Sequence, residues 1–162
     1  MAKLQPPRND GAYQAGDDRV LFKIDELTPI NIAGPYGETI GPLIEGEEIQ
    51  FGVMQIKNGT EPHYHPNEQF IYLVSGEATM TIDGKKLKLE KGSVAYIPPN
   101  QIHSFYATSD EPCEIVTCKD MRFGILGIGA AEETPRRLTD VESFLNENTL
   151  TKEKIIEAGN IA

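Results

Sequence analysis

From Glu47 to about Gly127 the chain alternates short β-branched and aromatic runs with turn signals. IQFGVMQI is followed by NGTEP, HYH by PN, QFIYLV by SGE, ATMTI by DGK, KLKLE by KG, and SVAYI by PPN. IHSFY, EIVTC and RFGILGI continue the series. Short runs of period two broken at close intervals predict an antiparallel sandwich or barrel, because strands that alternate with helices need longer crossovers. Asp83-Gly84, between ATMTI and KKLKL, predicts a tight hairpin, since both residues tolerate the positive φ of a type I′ turn. Upstream, VLFKI at 20–24 reads as a first strand, and TP, GPYG and GP between Asp25 and Gly46 mark turns. Residues 1–18 lack aliphatic periodicity and read as a flexible N-terminal arm.

Past residue 135 the pattern changes. Thr139 to Glu142 forms a capping box ahead of SFLNEN, and Leu150-Thr151 staples and caps KEKIIEAG, with Gly159 suited to a left-handed stop. The expected organisation is one all-β domain at 19–135, with a helical extension at 136–162 packed on it.

Composition narrows the partners. A chain of 162 residues suits a single domain. Its net charge of -10 has the wrong sign for neutralising phosphates, so neither nucleic acid nor an anionic membrane surface is an expected partner. The N-terminal stretch has no apolar signal region, and no segment reaches the roughly 20 apolar residues of a membrane span, so a cytoplasmic protein is expected. Cys113 and Cys118, five apart on a strand, fall on opposite faces roughly 16 Å apart and cannot pair with each other.

Chemistry concentrates in HYHPNEQ, residues 63–69. On a strand His63 and His65 project to the same face, which makes them a chelating pair for a divalent transition metal. The third and last histidine, His103, follows GSVAYIPPNQI.

These residues resemble the cupin family. Its first motif runs H-x-H, three residues, an acidic ligand, six residues and a glycine; here His63, His65, Gln69 and Gly76 stand at those positions. Its second motif, G-x5-P-x-G-x2-H-x3-N, falls on Gly92, Pro98, Asn100 and His103. Asn100 replaces a glycine, Ala107 replaces the final asparagine, and Gly59 lies too close to His63 to serve as the early glycine of the first motif. Asn tolerates a left-handed backbone nearly as well as Gly, so the turn can survive. The resemblance implies a β-barrel of the jelly-roll type and one metal ion (Fe, Mn, Ni or Zn) held by His63, His65, His103 and a fourth ligand.

Two neighbours compete for that fourth place. Charge favours Glu68, because a carboxylate neutralises a dication. Motif spacing favours Gln69, and a shift of one would turn the whole strand over. If His103 points inward, Gln101 and Phe105 share its face as pocket walls, and Arg122 is a candidate clamp for a substrate carboxylate. The expected function is a metal-dependent enzyme for a small oxygen-bearing substrate, of isomerase, lyase or dioxygenase type. The alternative is a non-catalytic small-molecule binder or sensor. Exposed sheet edges predict a homodimer.

Overall fold

The computed structural model describes residues 9–33, 37–121, 128–129 and 151. The chain divides into two compact units, Met1–Ala130 and Ala131–Ala162. The helices expected at 136–162 and the candidate Arg122 lie outside the described residues. None of the described residues forms a helix long and apolar enough to cross a membrane.

The first unit is a nearly closed β-barrel. In chain order its strands are β1 (Tyr13–Gln14), β2 (Ile30–Asn31), β3 (Gly37–Gly41), β4 (Leu43–Glu45), β5 (Ile49–Tyr64) and β6 (Gln69–Ser75). They continue with β7 (Glu77–Ile82), β8 (Lys85–Glu90), β9 (Val94–Ile97), β10 (His103–Ala107), β11 (Cys113–Asp120) and β12 (Ile128–Gly129). Neighbours run β8-β7-β10-β5-β11-β6-β9, with β3, β4 and β12 also on β5.

Period-two alternation decides which residues fill the barrel. Met54 and Ile56 on β5, Ile71 and Leu73 on β6, Ala78 and Met80 on β7, Ala95 and Ile97 on β9, and Cys113 and Ile115 on β11 form one core with Phe105. Full burial of side chains such as Leu73 or Ile97 stabilises the fold by about 1.5–3 kcal/mol each. The β7–β8 hairpin turns at Asp83 and Gly84 with φ of 48° and 76°, the two positive angles expected of that pair.

The outward residues of four strands also stand in register. One row is Phe51, Cys118, Phe70 and Tyr96; the next is Val53, Val116, Tyr72 and Val94. Phe70, Tyr72, Val94 and Tyr96 are all exposed, so this face of the sheet is apolar and open.

Three local expectations are corrected. NGTEP does not break the chain: β5 runs through it as one 16-residue strand, because its first half pairs with β11 and its second with β10. The irregularity falls at Glu61-Pro62, where the register passes from Phe105↔Thr60 to His103↔His63. One residue of β10, Ser104, there faces two of β5, Glu61 and Pro62, a bulge that tolerates a proline lacking N–H. VLFKI is not a strand. Ile24–Glu26 form a single 3-10 turn, and Val20 and Leu21 are 84% and 80% exposed, with no strand among the described residues paired to them.

Finally, the described part of the N-terminal segment is tied down. Tyr13–Gln14 pairs in parallel with β4. The buried Glu45 carboxylate accepts bonds from the Asn9 side chain at 2.8 Å, Gln14 at 3.1 Å and Gln50 at 3.2 Å. Burial pushes its pKa up, but the bonds from Asn9, Gln14 and Gln50 outweigh that and hold it below the usual carboxylate value.

Candidate metal centre

His63 and His103 face each other across the β5–β10 ladder, and His65 follows directly after β5. The three imidazoles converge: ring centroids lie 4.3 Å apart for His63 and His103, 4.8 Å for His65 and His103, and 6.2 Å for His63 and His65. Each offers a ligand nitrogen, and all three nitrogens lie within 4.8 Å of one another, so the group could hold a metal ion.

The backbone sets the tautomer of each ring. Nδ1 of His63 lies 2.7 Å from the Glu61 carbonyl, Nδ1 of His65 2.7 Å from that of Asn67, and Nδ1 of His103 2.8 Å from that of Gln101. A carbonyl oxygen only accepts, so each Nδ1 carries the proton and donates it. In the neutral ring Nε2 then carries the lone pair. This is the arrangement metal-ligating histidines require.

The rings are also held neutral. Burial pulls His103 down to about 3, with the neighbouring His63 adding to it. Burial, then the charge of Lys119, pulls His65 down to about 4. His63 is lowered by burial as well.

Local sequence explains the placement. Asn67 donates its side-chain amide to the Asp120 carbonyl at 2.7 Å, which pins the HPNE turn to the end of β11. The Asn100 N–H donates to the His65 carbonyl at 2.8 Å, and Asn100 has φ 61°. The asparagine therefore does take the left-handed conformation expected where the motif has glycine.

Glu68 and Gln69 part company at the start of β6. Gln69 shares the inward face of Ile71 and Leu73. Its Oε1 lies 3.0 Å from His65 Nε2, and its Nε2 donates to Thr117 Oγ1 at 2.7 Å. The Glu68 carboxylate accepts a bond from the Tyr96 hydroxyl at 3.0 Å on the outer face. Of the other candidates, Phe105 is 2% exposed and belongs to the core, while Gln101 contributes its carbonyl to His103.

Sequence reasoning missed Thr117 and Lys119. The signal lay in CEIVTCKD: if Cys113 and Ile115 face inward, so do Thr117 and Lys119, and a lysine on the inward face of a core strand is out of place for packing alone. Lys119 is opposite Gln69 on β6 and opposite Gln50 on β5. Burial pulls its ammonium down to about 8.

Comparisons with known proteins agree with this geometry. Residues 52–118 match the family model described as Cupin domain. The chain is 30% identical over 73 residues to an uncharacterized protein of Methanocaldococcus jannaschii, covering 44% of this chain and 58% of that one. It is 29% identical over 117 residues to the polyketide synthase CurC of Streptomyces cyaneus, covering 72% of this chain and 64% of that one. The matches therefore span less than two thirds of these relatives. Among solved structures, a protein described as a predicted oxalate decarboxylase from Thermotoga maritima superposes with a TM-score of 0.55 at 19% identity, covering 62% of this chain and 98% of that one. At that identity the likeness concerns the fold alone. With a barrel of this topology and the domain match lying over its histidine-bearing strands, residues 52–118 form a cupin domain.

Proposed function

We propose that the protein is a metal-dependent cupin enzyme acting on a small oxygen-bearing organic molecule, with His63, His65, His103 and Gln69 as ligands to one divalent transition metal. The observation that carries this reading is the convergence of the three imidazoles, each with Nδ1 bonded to a backbone carbonyl so that Nε2 is the lone-pair nitrogen of the neutral ring. A divalent ion bound there supplies Lewis acidity toward a substrate oxygen. The chain's own residues fix the geometry. Thr117 Oγ1 receives Gln69 Nε2 while Gln69 Oε1 lies toward His65, the orientation a bound cation would favour because only the oxygen can be a ligand.

Four neutral ligands leave the ion's charge undiminished, which favours polarisation of a bound carbonyl or carboxylate. The reaction proposed is of isomerase, lyase or dioxygenase type. Iron suits the last, and a redox-inactive ion suits the others. Metal analysis of untagged protein after reconstitution tests the reading: close to one equivalent is expected, and a small fraction of an equivalent overturns it. Oxygen uptake that requires added Fe(II) then separates the dioxygenase from the isomerase or lyase.

The protein is further proposed to act as a cytoplasmic homodimer. The two free thiols, Cys113 and Cys118, suit a reducing compartment. The two apolar rows on the outer face supply a surface for a second copy, since open apolar patches of this kind mark interaction sites.

A further inference from the structure

The row of inward residues at the barrel mouth is polar across four strands. Register sets Gln69, Lys119 and Gln50 side by side on β6, β11 and β5, with Glu45 next on β4. Adjacent members of such a row stand about 5 Å apart. The Glu45 carboxylate is engaged by Asn9, Gln14 and Gln50, while Glu68 turns outward to Tyr96.

Lys119 is thus a half-buried ammonium with no ion pair to a carboxylate among the described residues. Its positive charge acts on all three imidazoles. No acidic side chain among the described residues does so. A cation taken out of water without a counter-charge is unfavourable unless something supplies the anion. Packing gives no reason for it, since methionine or leucine would fill the same space.

We propose that this site takes an organic dianion, a dicarboxylate with one carboxylate received by Lys119 while the other reaches the histidine cluster. The inference rests on the reading of that cluster as a metal centre and adds the substrate class. Lys119 then sets specificity: it binds the anion and selects against uncharged analogues, because a charge-assisted hydrogen bond to a carboxylate is lost with an amide in its place.

The test uses the full chain loaded with Co(II), and calorimetric titration with malonate and with its half-amide, malonamate, at pH 7. Both probes carry one carboxylate for the ion, and only malonate carries a second. Wild type is expected to prefer malonate by about tenfold or more, the range of a charged hydrogen bond. Lys119→Met should abolish the preference with its Co(II) content unchanged, and Lys119→Arg should keep part of it. A wild type without preference, or a Lys119→Met variant that retains it, overturns the proposal while the metal reading stands. If wild type takes up no Co(II), the metal reading falls; malonate binding to the metal-free protein that Lys119→Met removes then upholds the anion site, and its absence refutes it.

Discussion

His65 Nε2 and Gln69 Oε1 face each other at 3.0 Å, and with the His65 proton on Nδ1 both atoms are lone-pair acceptors. Two acceptors at that distance repel each other unless a cation lies against both; without one, the amide can turn over, donating Nε2 to the ring and accepting from the Thr117 hydroxyl at Oε1. Removing one should therefore matter to the ion and little to the fold. Gln69→Ala is expected to weaken metal binding severalfold, Gln69→Glu to strengthen it by adding charge, and Glu68→Ala to leave it unchanged. Competition against a chelating dye measures all three. Loss of metal in Glu68→Ala with full retention in Gln69→Ala would reverse the assignment.

Thr117 gives a subtler version of the same test. Thr117→Val keeps the shape of the side chain and leaves the Gln69 amide without its 2.7 Å acceptor. A buried donor left unmet costs about 1–3 kcal/mol, and partners that orient a ligand typically shift metal affinity by about 10–100-fold. The variant should thus lose both stability and affinity. A drop in melting temperature with affinity intact would make Thr117 a packing residue only.

Acid should destabilise the metal-free protein over a defined range. Burial keeps His65 near 4 and His103 near 3, whereas an unfolded histidine titrates near 6.5. Between those values the unfolded chain binds the extra protons, so stability rises with pH. The contribution is fully present above about 6.5 and is lost as pH falls toward 4. Urea midpoints recorded from pH 7 to 4 should decline for wild type and decline less for His103→Gln. Parallel slopes would show that other groups govern the acid limb.

Glu45 should fasten the N-terminal segment. Glu45→Ala removes the acceptor shared by Asn9, Gln14 and Gln50 and should cost about 3 kcal/mol or more, as expected for a buried charged hub. Hydrogen exchange at Tyr13 and Gln14 should accelerate more than exchange in β6. Uniform acceleration would mean that the segment contributes to the barrel as a whole.

For the apolar outer face, Phe70→Glu places a charge in a row of four hydrophobic positions without touching the core. Sedimentation velocity should give a dimer for wild type and a monomer for the variant. A wild-type monomer would refute the proposed assembly.

The barrel was legible in the sequence because one face of each strand is buried, and burial writes a period of two into Met54-Ile56, Ile71-Leu73 and Cys113-Ile115. The histidine cluster was legible through spacing. Choosing between Glu68 and Gln69 was harder, since outward Phe70 and Tyr72 are as apolar as inward Ile71 and Leu73; an exposed apolar face erases the contrast that assigns a strand's sides. NGTEP misled because its turn formers lie inside a continuous strand, with Gly59 paired to Tyr106, and only Glu61-Pro62 fall in the bulge. Lys119 was hidden by its own type, a residue ordinarily read as solvated.

The three bonds from imidazole to carbonyl each close within two residues of their own ring, Glu61 to His63, Asn67 to His65 and Gln101 to His103. Ring orientation is thus inherited from local chain geometry and is complete once the barrel has folded. The rotational freedom of the ligands is given up during folding, so capture of an ion adds little ordering of its own. An ion bound there would consequently exchange without remodelling the protein, and which one resided there would be left to supply and release rate.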